Sequence, residues 1–194
     1  SALARGNARN LINRILRQLA IRVACAYRTV ATEDICVVAG IPPAEIAVKA
    51  RANKWGKERT CMEWQLQWDK RTSWTKTLIP DVRQWIGRGH GEVNYTLTQF
   101  LTGHGENGRY LHKIGKRGNE DCVDCGLVDD KAHAIYECPR WYGERAEINR
   151  AIGTTLTPQN TINIMCTDEE KWRLVNSLCQ KIVGTREKEG LVNG

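Results

Sequence analysis

One stretch constrains this chain more than any other: Cys122-Val-Asp-Cys125, seven residues to His133, then four more to Cys138. Written as spacing it is C-x2-C-x7-H-x4-C. Three thiolates and one imidazole satisfy a tetrahedral ion such as zinc and leave no position for water. The pattern therefore predicts a closed, structural Zn2+ site rather than a catalytic one. A two-residue gap lets one tight turn present Cys122 and Cys125 to a single ion, and Gly126 frees the backbone to leave that turn at positive φ. His133 and Cys138 are placed about one helical turn apart.

The 194 residues leave room for one domain or two small ones. Hydrophobic content of 41% supports a core, made unusual by one Phe against seven Trp. No apolar run approaches the roughly 18 residues of a membrane span, and the N-terminus lacks the shape of a signal peptide. Ser1 in place of Met reads as a processed product or a piece of a longer chain. Three of eight cysteines stand at metal spacing beside a histidine, which favours a reducing, intracellular setting over disulfides. The other five (Cys25, Cys36, Cys61, Cys166, Cys179) are expected to be buried, reduced thiols.

The net charge of +7 is unevenly placed. Residues 1–60 hold eleven Lys/Arg against four Asp/Glu, while residues 61–194 hold eighteen of each. A second basic segment carries Arg109, Lys113, Lys116 and Arg117 without an acid. From Glu120 to Cys138 there are six acids against Lys131 alone. A basic surface attracts phosphate backbones, but the metal loop itself has the wrong sign to grip them.

Taken in order, residues 8–28 read as an amphipathic helix. Its apolar stripe is Leu11, Ile12, Ile15, Leu16, Leu19, Val23 and Tyr27, with Arg14, Arg17 and Arg28 opposite. Thr29 or Thr32 can cap a second helix that ends at Gly40, and Pro43 suits the first position of a third. A fourth places Trp64 and Trp68 on one face. Leu78, Ile79, Val82, Trp85 and Ile86 form a further stripe, and a glycine-bracketed helix lies between Gly89 and Gly105. His90 and His104 are given loop or supporting roles. After Cys138, Trp141 is expected to fold over the metal loop, followed by a helix from Tyr142 to Ile152. Thr167 to Glu170 reads as a capping box opening a last helix, and the tail from Gly184 as frayed. Exposed tryptophan stripes are expected on the isolated chain.

Two patterns mimic catalytic sites. Asp129-Asp130 resembles paired magnesium-binding aspartates, but it sits inside the constrained seven-residue metal loop. Pro80-Asp81 with Glu169-Glu170-Lys171 loosely matches a nuclease signature, yet those glutamates already make sense in a helix first turn.

Other stretches extend the pattern: Tyr27-Arg-Thr-Val-Ala-Thr32, Val37-Val-Ala-Gly-Ile-Pro-Pro43, the run from His90 to Gly105, and Glu137-Cys-Pro-Arg-Trp141. Together with the Cys/His spacing, over roughly residues 8–145, they resemble the C-terminal region of non-LTR retrotransposon Pol polyproteins, above all the arthropod type-1 group that inserts into ribosomal DNA. The resemblance implies a mainly α fold: a basic thumb-like end (1–60), a helical linker (61–119), a CCHC zinc knuckle (120–142), then C-terminal helices and tail (143–194). Cys122, Cys125, His133 and Cys138 match the knuckle ligands. The polymerase aspartates have no counterpart, so polymerase and nuclease, with their Mg2+, would lie upstream. RNA, DNA and the upstream polymerase domain are the implied partners, and an intracellular location, nuclear during integration, the implied place.

On this view Arg14, Arg17, Arg28, Arg109, Lys113, Lys116, Arg117 and Arg140 contact phosphates, and Trp141 or Tyr142 stacks on an unpaired base. Zinc fixes the basic segment relative to Arg140 and Arg145. Reversing the four cations of 109–117 should then cost more RNA affinity than neutralising Asp129 and Asp130. The competing readings are a zinc-stapled protein-interaction module and, further off, a nuclease using Glu169, Glu170 and Lys171.

Overall fold

Helices carry nearly all of the regular structure, and most of their ends follow local chemistry. A computed structural model describes residues 2–193, with side chains at 7 and 9–190. The fold is mainly α. Four helices lead in: α1 (Ala2–Val23), α2 (Thr32–Ala39), α3 (Ala44–Ala52) and α4 (Lys57–Trp68). Four short ones follow: α5 (Trp74–Leu78), α6 (Val82–Gly87), α7 (Tyr95–Thr102) and α8 (Gly108–Lys113). After the Cys/His stretch come α9 (Tyr142–Ile152), α10 (Thr161–Thr167) and α11 (Glu169–Asn193). Ser73, Asp81, Asn94 and Asn107 cap α5 to α8, each side chain accepting a backbone N–H of the first turn. Among the described residues the one β pairing is an isolated bridge between Asp121 and Val128, and no helix is long and apolar enough to cross a membrane.

Tryptophan dominates the interior. Trp64, Trp68, Trp85, Trp141 and Trp172 are buried, which overturns the expected exposed tryptophan stripes. Two of their indole N–H groups donate to carbonyls, Trp68 to Ile79 at 2.7 Å and Trp85 to Val38 at 3.3 Å, the partners that a buried donor needs. Trp85 and Trp172 lie 5.7 Å apart with the Arg88 guanidinium over both rings. Buried residues from Ala20 to Ile182 join in one continuous core.

Helix α1 faces the opposite way from its expected pose. It packs on α2 and α3 through Ala20, with Ala24 just past its end also buried, and through half-buried Leu16 and Arg17. Leu11, Ile12, Ile15, Leu19 and Val23 instead point to solvent, Ile15 at 52% exposure. The helix stops at Val23, where Cys25 turns the chain at φ +52°. Small and polar residues let α1 approach its neighbours closely, and the apolar stripe is left free. Substituting Ile15→Glu and Leu19→Glu should therefore leave stability within about 0.5 kcal/mol in a denaturant titration. A large stability loss would mean that the stripe is internal after all.

The C-terminal region departs further from the sequence reading. Asp168, not Thr167, opens α11, accepting from the N–H groups of Glu170 at 2.7 Å and Lys171 at 3.1 Å. The segment from Gly184, expected to fray, continues α11 to Asn193. Ala31 precedes α2 without any side-chain cap, so neither Thr29 nor Thr32 performs that role. Helices α8 and α10 go beyond the elements that the sequence pattern predicts. Both are short and lack a readable apolar period. Of the five remaining cysteines Cys25 is exposed, while burial pushes the Cys36, Cys166 and Cys179 thiols up to about 11, 11 and 12.

Asp34 on α2 is buried and accepts a hydrogen bond from Ser73 Oγ at 2.9 Å. Burial raises its carboxyl pKa above the ordinary 3.8 despite that bond and the nearby Arg71. The folded state thus holds this proton more tightly than the unfolded chain does. The stability it contributes is full below the ordinary value and is lost as pH rises through the elevated one. Asp34→Asn should raise the melting temperature near neutral pH by at most about 2–4 °C and change nothing in strong acid. A fall near neutrality would show that the charged form is the stabilising one.

Candidate metal centre

The first ligand pair rests on a miniature hairpin. Cys122 N–H donates to Leu127 O at 2.7 Å, Asp129 N–H to Glu120 O at 2.8 Å, and Gly126 N–H closes the turn onto Cys122 O at 2.8 Å. Gly126 sits at φ +74°, the left-handed conformation its place after Cys125 predicts.

The second pair needs an unusual turn. Five residues apart on an α-helix, two side chains diverge by about 140°. Residues His133–Glu137 instead form one π-helical turn, closed by Cys138 N–H to His133 O at 2.8 Å. The wider turn brings both side chains to the same side. Asp130 steadies it, its Oδ1 accepting from the N–H groups of Ala132 at 2.8 Å and His133 at 3.1 Å.

The four side chains converge. Cys122 Sγ lies 3.9 Å from Cys138 Sγ and Cys125 Sγ lies 3.2 Å from His133 Nε2, with all four ligand atoms within 4.8 Å of one another. Tetrahedral bonds of about 2.3 Å set sulfurs about 3.8 Å apart, so the donors fit a single ion. Cys122, His133 and Cys138 are buried. His133 offers Nε2 to the cluster, while its Nδ1 lies 3.8 Å from Glu137 Oε2. In the free thiol, burial pushes Cys138 up to about 12, opposed by the Arg140 backbone N–H and reinforced by Cys122. This is a Cys3His cluster able to coordinate a metal ion, resembling a zinc knuckle set among helices. With four protein donors it is closed.

Behind the cluster, Asp129 is fully buried and locks the loop to the rest of the fold. It accepts from Gly108 N–H at 2.7 Å and from both terminal nitrogens of Arg186 on α11, with Arg117 3.9 Å away. Gly108 is required there, because a Cβ would lie 2.6 Å from Glu120 O. Asp129 and Asp130 are thus buttress and turn cap, not paired metal carboxylates. Glu169 and Glu170 stand at the start of α11, where Glu169 pairs with Arg173.

The structure divides the residues expected to meet nucleic acid. Around the metal centre most cations are already engaged. Arg109 pairs with Glu120 at 2.9 Å and Asp130 at 3.7 Å, and Arg117 faces Asp129. Arg140 bonds Asp124 at 3.1 Å and Glu189 at 2.6 Å, while half-buried Arg145 donates to Glu137 O at 3.3 Å. Trp141 is 5% exposed under the Arg140 guanidinium and offers no face for a base; Tyr142 is 72% exposed. Lys113 and Lys116 point outward. On the N-terminal helices Arg14 and Arg28 are exposed, but Arg17 is half-buried, donating to Thr32 Oγ1 at 3.0 Å and Arg28 O at 2.6 Å. His90 and His104 bond the carbonyls of Met165 and Thr102 and take no part in the cluster. Asp129, Asp130 and Arg186 are the positioning residues that sequence reading missed; an acid pair amid ligands was their one visible signal.

No protein-family model matches the chain, and no solved structure matches it. It is similar to a Nasonia vitripennis protein described as "Retrovirus-related Pol polyprotein from type-1 retrotransposable element R1 4", at 23% identity over 185 aligned residues. The match covers 79% of this chain and 47% of that protein. The chain is thus a distant, partial homologue of a retrotransposon Pol polyprotein, with a Cys3His metal-binding cluster in a mainly helical fold.

Proposed function

We propose that this chain is a non-catalytic nucleic-acid-binding region of a retrotransposon-type Pol polyprotein, holding template RNA and target DNA during target-primed reverse transcription in the nucleus. Its Cys3His centre carries a structural Zn2+, the ion that three thiolates and an imidazole suit best. The supporting observation is a division of labour. Acids neutralise Arg109, Arg117 and Arg140 around the metal centre, whereas the +7 excess lies on residues 1–60. Zinc there staples hairpin, ligand turn and α9, and the N-terminal helices meet the phosphates. This revises the expectation that cations flanking the knuckle make the contacts. The exposed α1 stripe suits packing against another part of the polyprotein, such as the upstream polymerase.

That same stripe favours a second reading, a zinc-stapled protein-interaction module without nucleic-acid contact. Fluorescence anisotropy with labelled single-stranded RNA across a salt series separates the two. Nucleic-acid binding predicts affinity that falls linearly on a log–log plot of salt. A folded, zinc-loaded chain that binds no RNA at low salt would leave the interaction module standing.

A further inference from the structure

Helix α1 and the first turns of α2 and α3 enclose a groove of about 420 Å3. From the nucleic-acid-binding reading, on which this step rests, we infer that the groove takes the phosphodiester backbone of a single strand. Arg9, Asn13 and Arg17 line it at four-residue intervals along α1, with Arg14 beside them. Donors on such a row recur about every 6 Å, the scale on which phosphates repeat along an extended strand.

The groove is cationic even though it contains two acids. Glu45 is held by Arg9 at 2.9 Å and Lys49 at 3.0 Å, and Glu33 faces Arg71 at 3.8 Å. Three arginines, Arg9, Arg14 and Arg17, line the groove against these two carboxylates, an excess of one, and Lys49 and Arg71 offset the same two acids from outside it. Arg17 is the fixed member. Its hydrogen bonds go to a hydroxyl and a carbonyl, which hold the guanidinium in place without neutralising it. Arg14 has no carboxylate partner among the described residues. Helices α2 and α3, whose first turns open onto the groove, have no side-chain caps, which adds partial positive charge. Among the described residues no aromatic ring lines the groove, so recognition there reads backbone rather than bases.

The test uses the full zinc-loaded chain with labelled oligouridylate and oligothymidylate. Arg9→Ala with Arg14→Ala should weaken both by roughly tenfold or more and flatten the log–log salt slope by about 1.4, two contacts at about 0.7 each. Glu33→Gln with Glu45→Gln should act oppositely and tighten binding several-fold, an outcome that misfolding cannot produce. Lys113→Ala with Lys116→Ala, remote from the groove in sequence, should change affinity by less than about twofold. Equal weakening of RNA and DNA marks a phosphate contact; weakening of RNA alone would overturn the assignment to the backbone. If the wild-type chain binds but the double arginine variant binds as tightly, or the glutamine variant does not tighten, the groove is not the site and nucleic-acid binding stands without it. Failure of the wild-type chain to bind either strand would remove both.

Discussion

The structural Zn2+ proposed for the Cys3His centre predicts that a chelator will lower the melting temperature by roughly 10 °C or more and dissolve the order between Glu120 and Trp141. Structural zinc supplies folding free energy outright, on the order of 10 kcal/mol in isolated modules, and about 1 kcal/mol shifts a domain of this size by about 2–4 °C. Only part of that will appear here, because the stretch also leans on α9 and α11. Without an ion the same residues leave buried thiols, one with its pKa pushed up to about 12 by burial, beside a buried imidazole whose Nδ1 has no hydrogen-bond partner. Native mass spectrometry should count one zinc per chain, and melting with and without a chelator should show the loss. Added Zn2+ should restore the fold where Mg2+ does not. Metal content of zero in a fully stable chain would show that Cys122, Cys125, His133 and Cys138 form only a buried polar cluster.

Much of this centre was legible because its information is local. The turn between Cys122 and Cys125 is written in four residues, and Gly126 takes the positive φ that its position demands. The five-residue step from His133 to Cys138 announced a ligand pair but not the π turn that makes it work, since an α-helix would have separated them. Long-range facts were hidden. A period of three and four picked out Leu11, Ile12, Ile15, Leu19 and Val23 as one stripe, although Tyr27 lies beyond the helix and Leu16 turns inward; periodicity says that a helix has two faces, not which one finds a neighbour. The tail beyond Gly184 looked polar and free because Arg186 and Glu189 meet Asp129 and Arg140, residues 57 and 49 positions away. Trp141 is buried beneath the Arg140 guanidinium, and that burial withdraws it from stacking.

Asp129 gives the sharpest test of that hidden architecture. Asp129→Ala should cost about 3–5 kcal/mol, because it leaves a buried cation without its counter-charge. The side chains of Arg186 and Arg117 are only 14% and 23% exposed, so water cannot replace the carboxylate well, and Gly108 N–H loses its acceptor as well. The adjacent Asp130→Ala removes a turn cap and an exposed ion pair with Arg109 and should cost about 1 kcal/mol. Removing the other partner, Arg186→Met, should be milder than losing Asp129, since Asp129 keeps Gly108 N–H and the nearby Arg117. The double variant Asp129→Leu, Arg186→Met should recover part of the loss, as buried ion pairs replaced by apolar groups often do. Denaturant titrations of the four variants, each checked for one bound zinc, would separate this buttress from the metal it stands behind. A cost below about 1 kcal/mol for Asp129→Ala would mean that the buried Asp129–Arg186 contact adds no stability to the join between metal loop and last helix, which would then rest on the apolar face of α11 and on Arg140 with Glu189.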